Sequence, residues 1–324
     1  METIDTRRAA PLDPDIARFL EQMAQDNAAR GASDTLPMVE RRAIAEDVRE
    51  RWRLGGPQMA QTRELDADGV RLRLYRPVDK PGLPVLFYIH GGGWQLFSIE
   101  THDRLMREYA ARAQIAVVGV DYSLAPEHRF PVALEEIATA LAWLEREGEA
   151  LGLDTGRIAI GGDSAGANLS VSSCLLRRAK GNAPLAAMLL NYGAYDPQPT
   201  GSYARYGEPP YPLEIAEMDA YWRGYVADAD DLTNPLVAPA LADLRDLPPA
   251  FFAIAECDIL ADSNYALAAR MAAAGGEVTE RTYRGATHSF LEAMSIAAIA
   301  NTALDEASAW LRERLDRANV GRDA

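Results

Sequence analysis

Strand-like and helix-like segments alternate along most of this chain, which predicts an α/β fold: a mostly parallel sheet with helices packed on both faces. Two further observations support this. Several strand candidates are near-continuous apolar runs, such as Pro84-Val-Leu-Phe-Tyr-Ile-His90, as expected of strands covered on both sides. Another, Ile158-Ala159-Ile160, breaks at Gly161-Gly162 and leads through a short turn into a helical segment, Ala165 to Lys180.

Taken in order, residues 14–53 read as helical. Asp13 can cap the first helix, and Ile16, Phe19, Leu20 and Met23 form its apolar stripe. The pattern repeats from Val39 to Trp52 after Pro37, and Gly55-Gly56-Pro57 makes a linker. Arg63 to Asp66 and Val70 to Tyr75 flank Asp68-Gly69, a hairpin signal. After the strand ending at His90, His102 to Ala113 is helical and Ile115 to Val120 is a buried strand. Pro131 suits the first turn of a helix running to Glu147. Beyond the Ala165–Lys180 helix come a strand from Leu185 to Asn191 and another from Phe251 to Glu256. A helix from Ala261 to Ala274, a strand from Glu277 to Tyr283 and a last helix from about Met294 complete the alternation. The stretch Asp196 to Pro239 breaks it. Seven prolines, several tyrosines and one helical patch, Leu213 to Val226, read as an inserted lid over a site.

Composition narrows the partners. A chain of 324 residues can bury a large core in one big α/β domain or two small ones. Its formal net charge of −15 argues against nucleic acid or an anionic membrane as partner, because both demand basic patches, and mildly disfavours strongly anionic substrates. Cys174 and Cys257 are too few and too far apart for a disulfide framework, so buried free thiols in a reducing compartment are expected. Arg7-Arg8 is followed by Pro11, Asp13, Pro14 and Asp15 instead of an apolar stretch, so no secretory or twin-arginine signal is expected. No apolar run is long enough to cross a bilayer, and the cytoplasm is the default location.

Gly162-Asp163-Ser164-Ala165-Gly166 matches G-x-S-x-G in the context that gives it meaning, a strand, a sharp turn and a helix. Such a turn pushes the serine hydroxyl above the sheet and brings the next amide and the helix N-terminus near developing negative charge. A serine nucleophile needs a base, and four histidines are available. His90 opens His90-Gly91-Gly92-Gly93-Trp94, a glycine run whose amides can turn inward to an oxyanion, and is expected to brace that loop. His102 opens a helix, where a capping or exposed role is expected, and His128 lies in a turn-rich segment where a structural role is expected. His288 lies in Gly285-Ala-Thr-His288-Ser-Phe, between the last strand and last helix, which makes it the base by elimination and position. For the acid that orients it, Asp258 is best placed just past a strand end, with Glu256 and Asp262 as rivals. Asp163 is expected to brace its loop. No metal or cofactor is expected: the histidines are scattered, there is no His-Glu-x-x-His, and neither nucleotide fingerprint has its spacing.

His90-Gly-Gly-Gly-Trp94, Asp121-Tyr-Ser-Leu-Ala-Pro-Glu-His128 with Phe130-Pro131, Gly162-Asp-Ser-Ala-Gly-Ala-Asn168 and Gly285-Ala-Thr-His288 together resemble the bacterial hormone-sensitive-lipase family of α/β-hydrolases. The Asp-Ser-Ala-Gly form of the elbow is similar to the larger of its motif-defined subfamilies. The resemblance runs from about Tyr75 to Phe290. It implies an α/β-hydrolase fold and a carboxylester hydrolase, with a catalytic domain over 54–195 and 240–324 and a helical cap built from residues 1–53 and 196–239. It also carries the oxyanion donors to the amides of Gly92, Gly93 and Ala165. Two departures stand out. Where the family usually reads Asp-Pro-Leu-x-Asp-Glu, this chain has Asp258-Ile-Leu-Ala-Asp-Ser263; after the strand at Leu190, where the family often has Tyr-Pro, it has Asn191-Tyr192-Gly193-Ala194, which alters a pocket wall.

The expected chemistry is therefore serine ester hydrolysis through an acyl-enzyme on Ser164, His288 and Asp258, with a preference for short or medium acyl chains in a pocket enclosed by Tyr203, Tyr206, Tyr211, Tyr221, Trp222 and Tyr225. An amidase or lactonase would use the same residues. A non-catalytic small-molecule receptor is the other class, but receptors of this kind have lost the histidine base that this chain keeps. For the N-terminal helices, with no obvious sheet face left to cover, the alternative to a cap is a dimerisation arm, as in a homodimer, or a loosely attached tail.

Overall fold

The apolar runs become the middle of an eight-stranded sheet. The computed structural model describes residues 9–320, and Arg7-Arg8, on which the signal reading turned, lie outside them. Strands β1 (Gln61–Ala67) and β2 (Val70–Arg76) form the expected hairpin, Ala67 facing Val70 across a turn in which Asp68 and Gly69 both take positive φ, 55° and 95°. That is the backbone an Asp-Gly hairpin favours. The remaining strands are β3 (Leu83–Ile89), β4 (Ala116–Asp121), β5 (Leu153–Asp163), β6 (Ala187–Asn191), β7 (Ala250–Cys257) and β8 (Val278–Thr287). Their order is β1-β2-β4-β3-β5-β6-β7-β8, antiparallel as far as β4 and parallel from β4 to β8. The strand order reverses at β3 and β5, so their carboxyl ends flank the switch point where open α/β sheets place ligands.

Adjacent residues of the central strands serve opposite faces, as a two-residue period requires. Phe87, Ile160 and Phe252 enter one core with helices α4 (Val132–Glu147), α5 (Ala165–Ala179) and α8 (Ala261–Ala273). Leu86, Ala159 and Phe251 enter the other with α3 (Asp103–Ala113) and α9 (Ala298–Val320). Ahead of the sheet lie α1 (Pro14–Ala29) and α2 (Met38–Arg53), and the insertion holds α6 (Gly201–Tyr206) and α7 (Ile215–Tyr225). The Asp13 carboxylate accepts from the amides of Asp15 at 2.8 Å and Ile16 at 3.2 Å, capping α1 as its position predicts.

Three readings need correction. β5 starts at Leu153, five residues before the predicted run, because the polar turn before Ile158 is drawn into pairing with β3 through Leu83 and Leu153. The last helix starts at Ala298, after a separate 3-10 turn over Phe290–Ser295. The N-terminal helices do cover core: Ile16, Phe19 and Trp52 are buried in the α3–α9 cluster, α1 packing on β8 and the 3-10 turn, α2 on α3 and that same turn. Phe19 and Trp52 meet edge to face at 4.7 Å, which ties the two helices together. A loosely attached tail would not be buried in this way.

Candidate active site

Ser164 stands at the junction of β5 and α5 with φ 53° and ψ −118°, a sparsely populated conformation for a residue with a Cβ. The surroundings hold it there. Its amide donates to the Asn191 carbonyl at 2.9 Å, its carbonyl accepts from Asn168 and Ala194, and the Asn168 side chain spans the Ala194 and Val237 carbonyls. The glycines of the motif are needed because backbone meets backbone: a Cβ at Gly162 would sit 2.2 Å from the Ile89 carbonyl oxygen, and one at Gly166 only 2.0 Å from it.

His288 follows β8 and reaches across the sheet edge. Its Nε2 lies 2.9 Å from the Ser164 Oγ, and its Nδ1 lies 2.8 Å from the Asp258 Oδ2. An ionised carboxylate only accepts, so Nδ1 carries the proton given to Asp258 and Nε2 is left to accept from the serine hydroxyl. Burial works to lower the basicity of His288, but the charge and hydrogen bond of Asp258 outweigh it and hold the imidazole pKa above its ordinary 6.5. Asp258 is almost fully buried, and its other oxygen accepts from the Leu260 amide at 2.9 Å, closing the loop that lacks the family's proline. The rivals point elsewhere: Glu256 accepts from the Gly285 amide, and Asp262 binds the Ser202 amide and pairs with Arg205 at 2.7 Å.

The glycine loop after β3 curls beside this trio. Gly92 and Gly93 have φ 107° and 58°, and the Gln95 and Leu96 amides close the turn on the Gly92 carbonyl. The Gly91 amide is committed to Asp163 at 3.2 Å. Gly92, Gly93 and Ala165 line the same cavity as Ser164 and His288. Beneath the loop, Asp163 also accepts from the Tyr88 hydroxyl at 2.8 Å, so it braces the loop as expected. His90 braces it too, bonding the Gly91 carbonyl at 2.8 Å and stacking on Tyr122 at 4.4 Å. Burial and the neighbouring His102 charge push the His90 pKa down to about 4.

His102 departs from its expected capping or exposed role. It is buried, makes no side-chain cap to α3, and lies with Nε2 3.3 Å from Asp163. Burial lowers its basicity, but the Asp163 carboxylate reverses the shift, while Asp163, whose ionisation burial opposes, is held below its ordinary value by the same pairing. Tertiary packing creates this second His–Asp pair, and nothing at positions 101–103 of the sequence announces it. His128 is exposed in its turn, its amide bonded to Leu124.

Above Ser164 lies a cavity of about 820 Å³. Its walls come from α1 and α2 (Phe19, Leu20, Met23, Ile44), from the glycine loop and from the insertion, including Pro209–Pro212, Met218 and Tyr221. The aromatic enclosure differs from the predicted one. Only Tyr211 and Tyr221 of the six face the cavity; Trp222 and Tyr225 are drawn onto Trp94, which Tyr225 stacks at 4.4 Å, and Tyr203 and Tyr206 are buried in α6 packing.

A family profile described as alpha/beta hydrolase fold matches residues 86–292. The chain is 35% identical over 251 residues to an acetyl esterase of Salmonella schwarzengrund (strain CVM19633), covering 76% of this chain and 77% of that protein. It is 39% identical over 221 residues to the carboxylesterase NlhH of Mycobacterium tuberculosis, 64% of this chain and 67% of that one. Among solved structures, a hyperthermophilic esterase from the archaeon Pyrobaculum calidifontis superposes with a TM-score of 0.88 at 32% identity, over 94% of this chain and 98% of that one. EstE1, a thermostable carboxylesterase cloned from a metagenomic library, gives 0.83 at 34% identity over 87% and 99%. The chain belongs to the α/β-hydrolase fold family, among its carboxylic ester hydrolases of the hormone-sensitive-lipase type.

Proposed function

We propose that Ser164, His288 and Asp258 are the catalytic trio, and that the protein hydrolyses small esters of short- to medium-chain acids. The observation that carries this reading is the hydrogen-bonded series Asp258–His288–Ser164 opening into a cavity walled by Gly92 and Gly93. His288 Nε2 takes the hydroxyl proton as Ser164 Oγ attacks the ester carbonyl. The amides of Gly92, Gly93 and Ala165 hold the oxyanion, with each such donor worth about 2.7–4 kcal/mol in comparable sites. The C–O bond to the alcohol breaks as the imidazolium returns the proton to the leaving oxygen. Water, deprotonated by the same imidazole, then attacks the acyl-serine; the carboxylic acid leaves and Ser164 recovers its proton.

Residues 1–53 and 196–239 act in this reading as one cap over the catalytic portion. Their walls limit the cavity, which supports short and medium acyl chains over long-chain triglycerides, and an acetyl esterase among the relatives points the same way. The two free, buried cysteines support a cytoplasmic location, and no helix among the described residues is long and apolar enough to cross a membrane.

A fluorophosphonate probe tests the nucleophile directly: Ser164 is labelled in the parent and unlabelled in Ser164→Ala. A p-nitrophenyl ester series from acetate to palmitate tests the cavity. Labelling at another residue defeats the first assignment, and kcat/KM rising steadily to palmitate defeats the second.

A further inference from the structure

One polar group in the cavity wall has no part in the hydrolysis described above. Glu217 lies in the first turn of α7 and faces the same cavity as Ser164 and His288. Its Oε1 accepts from the Tyr221 hydroxyl at 2.7 Å. The Tyr221 ring in turn packs against the glycine loop, so close that a Cβ at Gly93 would fall 2.4 Å from it. Glu217 is therefore one side chain away from the point where the ester carbonyl must sit.

The charges around it are unevenly matched. Arg41 is paired with Asp34 at 3.1 Å, and Arg49 with Glu292 at 3.1 Å while lying over the Phe97 ring. Those two arginines and the His288 imidazole are the basic side chains of the cavity wall, and each has an acidic partner. Glu217 has no ion pair among the described residues; Tyr221 is its one side-chain hydrogen-bond partner there. A partly buried carboxylate with no ion pair among the described residues, in a cavity that the Tyr211 and Tyr221 rings also line, offers an ammonium ion a counter-charge. The net charge of −15 attracts cations to the same cavity.

We propose that Glu217 is a specificity-determining residue that selects esters carrying a cationic ammonium group. The proposal rests on the ester-hydrolase reading above and adds the substrate class. Burial and the nearby Asp34 charge hold the Glu217 pKa above its ordinary 4.5, against the Tyr221 hydrogen bond and His288, which favour the ionised form. Glu214 precedes its helix, and Glu21, Arg41 and Arg49 complete the charged groups of the wall. A carboxylate here also suits the helix dipole of α7, but that role acts on stability and leaves substrate choice untouched.

The test uses two isosteric acetates, acetylcholine and the uncharged 3,3-dimethylbutyl acetate, each rate divided by that ester's own hydroxide-catalysed rate. The parent protein is expected to favour the cationic ester in kcat/KM by on the order of tenfold at low salt. Glu217→Gln brings the ratio close to one, and added salt lowers it. Acidification lowers it too, because Glu217 loses its charge as pH falls through its raised pKa, whereas protonation of His288 slows both esters alike and cancels from the ratio. A parent ratio of one or less overturns the proposal, as does an equal loss on both esters in Glu217→Gln, the mark of a residue that only holds Tyr221 or caps α7. Should that variant not fold, competitive inhibition of 3,3-dimethylbutyl acetate hydrolysis by tetramethylammonium, weakening on acidification, gives the same answer in the parent, and its absence overturns the proposal. If neither acetate is turned over and Ser164 takes no fluorophosphonate, the underlying reading has failed instead.

Discussion

Two buried His–Asp pairs lie next to Ser164, and they differ in what meets the histidine's second nitrogen. In His288–Asp258 the carboxylate binds Nδ1 and the serine hydroxyl meets Nε2, with a cavity beyond. In His102–Asp163 the carboxylate sits at Nε2, while Nδ1 faces Thr101 Oγ1 at 2.8 Å and the Ser98 carbonyl at 3.3 Å. Both imidazoles have raised pKa values, and in both burial opposes the charge that a carboxylate restores. One imidazole meets a hydroxyl and an open cavity; the other is sealed with its carboxylate beneath the glycine loop. Chemistry follows from the neighbour and the opening, and the bare presence of His beside Asp does not decide it.

The largest expected effect removes the group that only the first pair serves. Ser164→Ala should fold normally and lose hydrolysis of an activated ester by at least about three orders of magnitude in kcat. Next, Asp258→Asn should cost about two to three orders in kcat, because the amide no longer fixes the tautomer, with Glu256→Gln and Asp262→Asn far milder. If Asp262→Asn proved the most damaging, the acid would have to be reassigned to α8. The second pair should register in stability instead. His102→Asn leaves buried Asp163 without its imidazole, held only by Tyr88 and the Gly91 amide, and urea unfolding should show a loss of about 3–5 kcal/mol. A fall in kcat as deep as that of Asp258→Asn, in fully folded protein, would erase the distinction between the pairs. Smallest is the titration: His288 must be neutral to act as base, so kcat/KM should rise with pH through a midpoint above 6.5, and Glu256→Gln should not move it. A midpoint below that value would mean that burial has beaten Asp258.

Much of this was legible in the sequence because it was written locally. Apolar runs bounded by turns gave the strands, and Gly162-Asp-Ser-Ala-Gly166 needs only its own strand and helix to be read as a sharp turn. The meeting of Ser164, His288 and Asp258 was legible as well, since chain order and loop position pointed to His288 and Asp258. What escaped depends on distant partners. His102 is buried because Asp163, 61 residues away, reaches it from β5. The cap tyrosines were read as one aromatic set, yet Trp94 after β3 captures Trp222 and Tyr225 and leaves only Tyr211 and Tyr221 facing the cavity. The α6 helix, six residues among prolines, has too little length for a helical period to be visible, and it is held by Ser202 bonding the Ile259 carbonyl.

The glycine contacts under Ser164 bear on how such a molecule can diversify. At Gly162 and Gly166 the β3 backbone leaves no volume for even one methyl group, so that seam tolerates no lineage of intermediate substitutions. The cavity walls include residues on α1, α2 and α7, among them Phe19, Met23, Ile44 and Met218. Variation is thus channelled: new acyl or alcohol preferences can accumulate at the walls one side chain at a time, while the reacting centre stays frozen. A mutational library aimed at selectivity is best spent on α1, α2 and α7, and positions 162 to 166 are best left out of it.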